Sequence, residues 1–316
     1  MRLAVIGAGG VGGLLAGLAA RAGLEVALLA RGAALEAIRA DGLQVTTAGG
    51  RFTVRPAAVS DDPAALGRCD AVLVAVKSWQ VAELAPRLAP LVAPGGVVVP
   101  LQNGVEAGAR LAAGLPGVRV ADGVTAVFAW SEGPGRIRHV GPPLRITMGE
   151  RPGAPLGGVL EPLAAALASA GVEAVVSGSI AVLAWEKLLF VAPFGAVGAV
   201  SRAPAGAIRE SPETRALFAG LVAEGAAVAR ARGVALSADV VERTLAWLDR
   251  VRWDATVSMQ RDLAAGRPSE LLDQPGAVAR LGAEAGVPVP LHGVLLAALL
   301  PLERSARGEA PQFERT

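Results

Sequence analysis

The chain has 316 residues, 53% hydrophobic and 18% charged, with a formal net charge of +2, a composition that excludes a disordered chain and leaves room for two domains of about 150 residues each. No basic run or interleaved aromatic stripe marks a nucleic-acid surface, and the single cysteine, Cys69, excludes an intramolecular disulfide framework and fits a reducing compartment. The only histidines, His139 and His292, lie far apart without Cys or Glu at ligand spacing, so neither a zinc centre nor a histidine-based triad is expected.

Twenty-eight arginines accompany two lysines, Lys77 and Lys187, and one asparagine, Asn103; tyrosine is absent. Residues with A/T-rich codons are avoided throughout, so nearly every cation that can be arginine has become arginine. The survivors are either chance surface residues or positions where the substitution is not tolerated. An ammonium can lose its proton near neutral pH and a guanidinium cannot, so the two are not interchangeable where a proton must move.

The first 20 residues superficially resemble a secretory signal, but five glycines between Gly7 and Gly13 make a poor inserted helix. Elsewhere the longest uncharged apolar stretch, residues 188–201, falls short of a span and contains Pro193. The expectation is a cytoplasmic protein with no membrane partner.

Residues 2–6 are a short run of strand formers that leads into Gly7, Ala8, Gly9, Gly10, Val11 and Gly12, and then into helical sequence stopped by Gly23. In this strand–turn–helix context Gly7 permits the tight turn, Gly9 lets the backbone approach a pyrophosphate, and Gly12 lets the helix pack on the strand. A glycine turn with only a packing role is the alternative. A second strand, residues 25–30, ends at Arg31, where NAD sites carry an acid for the ribose hydroxyls. A guanidinium there attracts a 2′-phosphate, which points to NADP(H).

Residues 42–47 and 51–55 alternate around Gly49-Gly50 as an inserted hairpin, and Asp61-Asp62-Pro63 offers a helix start. Cys69 precedes the buried strand 70–76 and reads as a packed strand end. That strand ends in Lys77, and the next, residues 94–101, ends in Gln102-Asn103-Gly104. Two of the three rare residues thus sit at carboxyl ends of parallel strands, where open α/β sheets bind ligands. Asn-Gly is also an ordinary turn dipeptide.

A strand around residues 137–148, a helix over 156–170 and a last strand at 172–176 precede Ser177-Gly-Ser179, which can cap the helical sequence beyond it. Helical patterns cover residues 180–191, 212–232, 237–250, 254–265, 275–285 and 291–307. The expected architecture is an α/β Rossmann-type doubly wound sheet over residues 1–178 followed by an all-α domain over 179–316. The apolar helix near residues 291–302 either pairs two copies as a homodimer or forms core, and the tail 308–316 is expected to be loose. Lys187, beside Trp185 in an apolar helix, needs either a structural acid such as Glu186 or a chemical task. A general-acid role requires a nearby carbonyl and a lowered pKa.

The set Gly7-x-Gly9-x-x-Gly12, Lys77-x-x-Gln80, Gln102-Asn103-Gly104, Trp185-x-Lys187, and Ser258-Met259-x-x-Asp262 with Glu270 twelve residues after Ser258 resembles the ketopantoate reductase (2-dehydropantoate 2-reductase) family along nearly the whole chain. The resemblance implies an NADPH-binding Rossmann domain, a helical domain like that of 6-phosphogluconate dehydrogenase, and an active site in the cleft between them. It implies Lys187 as proton donor to a small 2-oxo acid, Glu270 contacting the bound ligands, Ser258 on the substrate, and Lys77 and Asn103 near the nicotinamide half. The family pattern has asparagines where this chain has Val191, Gly195 and Ala205, which opens the alternative of a different, more apolar 2-oxo acid. Arg202 offers a replacement carboxylate anchor, or is an ordinary linker arginine. A nucleotide-binding sensor without turnover would need the glycine turn and Arg31 but no proton donor.

Overall fold

The computed structural model describes residues 1–310, so of the tail expected to be loose, residues 311–316 lie outside the described residues. The chain forms two compact units, one of residues 1–102 and 106–180, the other of residues 103–105 and 181 onward.

In the first unit β1 (Arg2–Ile6), α1 (Gly10–Arg21), β2 (Glu25–Leu29) and α2 (Gly32–Asp41) follow the expected alternation. Next come β3 (Leu43–Thr47), β4 (Gly50–Val54), β5 (Ala58–Ser60), β6 (Cys69–Val74), the short α3 (Val81–Leu84), β7 (Val92–Pro100), α4 (Ala107–Gly114) and β8 (Arg119–Val120). The parallel sheet has the order β5-β2-β1-β6-β7-β8. Its central strands are apolar because helices cover both faces. Leu3 and Val5 point into one buried cluster with α1, while Ala4 and Ile6 point into another with Val72, Val74 and Leu111. Strand order reverses across β1 and β6, which creates a crevice at their carboxyl ends.

The remaining strands depart from a single doubly wound sheet. β9 (Asp122–Gly133), β10 (Arg136–Gly149), α5 (Leu160–Ser169) and β11 (Glu173–Val176) complete the unit. Strand β10 pairs antiparallel with β9 and parallel with β3 and β11, so the 43–54 hairpin and the strand at 173–176 belong to a second sheet, not to the first. Helix α1 packs against this sheet through glycines. A Cβ on Gly13 would lie 2.7 Å from the Ile137 side chain, and one on Gly17 would lie 2.5 Å from Val45. The helix start expected at Asp62 is only a four-residue turn, Pro63–Leu66, capped by the Asp62 carboxylate. Cys69 is buried at the start of β6, and burial pushes its thiol pKa up, consistent with a packing role.

The second unit is helical: α6 (Ile180–Ser201), α7 (Ala205–Glu210), α8 (Pro212–Ala231), α9 (Val240–Arg250), α10 (Ser258–Ala264), α11 (Pro275–Ala285) and α12 (Pro290–Ala306), with Ile180 itself clustering with the first unit. Helix α6 runs without interruption past Pro193. By length and composition alone it could cross a membrane. Its Leu188, Leu189, Phe194 and Val197 are instead packed in this unit's core with Phe218, Leu221 and Leu271, each such side chain contributing about 1.5–3 kcal/mol of burial. Glu224 of α8 caps α12, accepting from the backbone N–H of Leu291 and His292 and bonding the buried His292 ring.

Candidate active site

The glycine turn is built from backbone. The Gly7 N–H donates to the Leu29 carbonyl at 3.0 Å, and φ of +111° takes the chain through a turn that favours glycine. Gly12 packs so closely that a Cβ would lie 2.0 Å from the Gly7 carbonyl oxygen and 2.9 Å from the Ala75 side chain; Gly10 meets Ala129 and Trp130 in the same way. Gly9 is different. A Cβ there would meet no protein atom within 4 Å, and its φ of −77° is open to any residue. Protein packing therefore does not explain Gly9, and the space beside it leaves the first amides of α1 open to a ligand. Arg31 caps α2 just past β2, exposed and in no ion pair with a described carboxylate. The turn thus fits a dinucleotide cofactor.

Lys77 lies three residues beyond β6, not at its last residue. Its backbone N–H donates to the Gln80 side chain at 3.3 Å, and its ammonium lies 5.7 Å from the Trp79 ring centroid. Gln102 fastens this loop from the next strand, its amide donating to the Val74 and Val76 carbonyls at 2.8 and 2.9 Å. A surface cavity of about 430 Å³ lined by Arg68, Gly96 and Arg119 lies at the amino ends of β6 to β8, away from these groups and from the end of a parallel sheet that binds ligands.

In the second unit Lys187, Glu270, Asn103 and Gln274 converge. Glu270 is 6% exposed and sits in the irregular segment before α11. Its Oε2 accepts from the Asn103 amide at 3.0 Å and from the Gln274 amide at 3.1 Å. Burial lowers the Lys187 pKa to about 8, partly opposed by the Glu270 carboxylate. Lys187 keeps some accessible surface, yet its surroundings are deep enough for desolvation to dominate. Glu186, the neighbouring acid, pairs instead with Arg243 at 3.0 Å. Asn103 clusters with this unit although it follows a strand of the other.

The remaining sequence-predicted residues lie nearby in the chain but differ in setting. Ser258 is the half-buried first residue of α10. Arg202 is exposed just past α6 and is the only non-glycine among the described residues with positive φ, +56°. A left-handed residue commonly ends a helix, but it is usually glycine.

Residues 3–153 match the family described as ketopantoate reductase PanE/ApbA, and residues 179–303 match its C-terminal domain, described as ketopantoate reductase PanE/ApbA C terminal. The chain belongs to the ketopantoate reductase family. Its ketopantoate reductase relatives include a 2-dehydropantoate 2-reductase of Halobacterium salinarum, 34% identical over 92% of this chain and 95% of that one. Another, from Mesorhizobium japonicum, is 32% identical over 94% and 96% respectively. The crystal structure of a PanE/ApbA family ketopantoate reductase from Ralstonia eutropha JMP134 superposes with a TM-score of 0.88 at 33% identity, covering 97% of this chain and all of that one. The protein is accordingly an oxidoreductase acting on a small molecule.

The positions where the family resemblance leads to an expectation of asparagine are apolar in structure as well as in sequence. A Cβ on Gly195 would lie 2.4 Å from the Met259 methyl, Ala205 is fully buried, and Val191 packs against the helical core. Gln274, the second amide on Glu270, is absent from the expected site. The rarity that singles out Asn103 also applies to glutamine: of six, Gln102, Gln260 and Gln274 are buried and hydrogen-bonded.

Proposed function

We propose that the protein is an NADPH-dependent 2-oxo acid reductase that converts 2-dehydropantoate (ketopantoate) to pantoate. The observation that carries this reading is the Lys187 ammonium, one of two in the chain, with a pKa lowered to about 8 beside Glu270. Residues 1–178 form the NADP(H) half and residues 179–316 the substrate half. The turn Gly7, Ala8, Gly9, Gly10, Val11 and Gly12 would hold the pyrophosphate, Arg31 the 2′-phosphate, and Lys77 and Asn103 the nicotinamide half. When bound, the cofactor supplies the hydride that reaches the 2-oxo carbon.

The chain supplies the proton. Lys187 donates a charge-assisted hydrogen bond to the 2-oxo oxygen as negative charge develops there, then transfers its proton and is left as a neutral amine. A pKa near 8 keeps most of the population protonated at neutral pH while easing that transfer. Glu270 opposes the cost of burying the ammonium and contacts the bound ligands. Ser258 binds substrate and Arg202 meets its carboxylate. The left-handed backbone of a bulky arginine costs about 1–2 kcal/mol, which supports a retained side-chain role. Cytoplasmic location and homodimeric assembly belong to the same proposal.

The apolar surroundings of Val191, Gly195 and Ala205 favour a second reading, a more apolar 2-oxo acid as true substrate. NADPH oxidation by the purified protein with ketopantoate and a panel of 2-oxo acids, beside Lys187→Ala, tests both. Turnover of ketopantoate that vanishes in the variant upholds the first reading, and turnover of another member alone upholds the second. A variant that turns over as fast as the parent removes Lys187 from the chemistry and with it both mechanisms.

A further inference from the structure

Glu270 depends on a segment with no regular structure. Residues 265–274 join α10 to α11, and Ser269 and Glu270 at the centre are buried. A buried segment outside a helix or ladder must find partners for its own amides and carbonyls. Here α12 provides them. The Glu303 carboxylate, 0% exposed, accepts from the Ser269 backbone N–H at 3.1 and 3.0 Å and from the Ser269 hydroxyl at 2.5 Å. Arg307 donates to Glu303 at 2.6 Å and to the Ser269 carbonyl at 3.1 Å. The Ser269 hydroxyl accepts in turn from the Leu271 N–H at 3.2 Å. Glu270 is thus held between two residues whose backbones are fixed, and its own carbonyl accepts from the Asp273 and Gln274 N–H groups at 3.1 and 3.0 Å.

A buried carboxylate–guanidinium pair is weak evidence for stability, since well-packed apolar residues often stabilise as much or more. What apolar residues lack is direction. A carboxylate that must satisfy a backbone N–H, a hydroxyl and a guanidinium at once admits one arrangement of the segment that carries them.

From this geometry we infer that Glu303 is a positioning residue. Acting through Ser269, with Arg307 as counter-ion, it holds the backbone that sets the Glu270 carboxylate against Asn103 and Gln274 and within electrostatic reach of Lys187. The inference rests on the roles given to Lys187 and Glu270 under the proposed function. Lys187 is faced by Glu270 from this segment, while Glu186 on its own helix is engaged by Arg243 of α9.

The presence of only two lysines makes the test direct. Lysine labelled with 13C at Cε, incorporated into the full chain, gives two titrating NMR signals, and Lys187→Ala assigns one of them. The Lys187 midpoint, expected at about 8 in the parent, is then compared without any ligand in Glu270→Gln, Ser269→Ala, Glu303→Gln and Leu299→Ala. Glu270→Gln removes the charge that supports the ammonium and lowers the midpoint. Ser269→Ala and Glu303→Gln lower it in the same direction, by about half a pH unit or more, and add nothing when combined with Glu270→Gln. Leu299→Ala, which truncates a buried apolar side chain of the same helix, lowers Tm without moving the midpoint, as a merely structural role for Glu303 also would. Should Glu303→Gln not fold, Ser269→Ala decides alone. A midpoint that Glu270→Gln moves but Ser269→Ala and folded Glu303→Gln do not overturns the inference and leaves the proposed function standing. A midpoint that Glu270→Gln does not move overturns the role of Glu270 in the proposed function, and the inference with it.

Discussion

The glycine turn of the first unit and the lysine cluster of the second are made of different material. The turn is contiguous and works through backbone: six residues, in which Gly7, Gly10 and Gly12 answer to turn geometry or packing and Gly9 does not. The cluster is made of side chains from Asn103, Lys187, Glu270 and Gln274, with 167 positions between the hydrogen-bonded Asn103 and Glu270. A backbone site is written in spacing, because the turn, the close approach and the helix start fall at fixed offsets. A side-chain site is written only in which residues are present, and its geometry waits for the fold.

The largest effect should come from the side-chain site. Lys187→Ala is expected to lower kcat by roughly 10²–10⁴ while leaving NADPH affinity, measured by fluorescence titration, close to the parent value. A parallel loss of cofactor binding would mean that Lys187 organises the site instead of donating a proton.

Within the turn, packing and ligand approach separate by substitution. Gly12→Ala forces a Cβ to 2.0 Å from the Gly7 carbonyl oxygen, so it should cost about 1–3 kcal/mol or more and lower Tm by several degrees. Gly9→Ala meets no protein atom, so Tm should hold while NADPH binding weakens about tenfold, near 1.4 kcal/mol. Equal Tm losses in both would return Gly9 to a packing role and remove the strongest local support for a dinucleotide.

The legible parts of the molecule divide along the same line. The parallel strands at residues 2–6, 69–74 and 92–100 were readable because burial on both faces leaves unbroken apolar runs. The strand at 122–133 was not, because much of it is exposed and its Phe128 and Trp130 lie on an open face, so no buried run marks it. The second sheet was hidden for another reason: β10 joins β3 from nearly a hundred residues earlier, and a sequence does not state its partners. In the candidate site Lys187 and Asn103 stood out by rarity, and Glu270 only through the resemblance to the ketopantoate reductase family. Nothing local marks Glu303, whose significance exists only once α12 is packed against Ser269.

A smaller effect tests the cofactor choice. Arg31→Ala removes an exposed guanidinium that no described carboxylate holds, so the fold should be untouched. The preference for NADPH over NADH, measured as the ratio of kcat/KM values, should fall about tenfold, as expected for loss of one charged hydrogen bond of roughly 1.5–3 kcal/mol in a solvent-screened position. An unchanged ratio would place 2′-phosphate recognition elsewhere or make the enzyme indifferent to it.

The smallest effect is one of stability and has the opposite sign to the first. Because burial lowers the Lys187 pKa from 10.5 to about 8, the unfolded chain binds a proton that the folded chain lacks between those values. Stability contributed by this group therefore rises with pH across that window, and below it the ammonium is a standing cost. Lys187→Met keeps the length and apolar packing of the side chain without the charge. It should unfold at higher urea concentration than the parent at neutral pH, with the gap narrowing as pH rises past about 8. Cys69 acts the other way at the top of the window, since burial raises its thiol above 9.0 and holds a proton that the unfolded chain gives up. That contribution is common to both proteins, so the difference between them isolates Lys187. A variant less stable than the parent at neutral pH would mean that Glu270 more than offsets burial and that the ammonium is a structural ion pair after all.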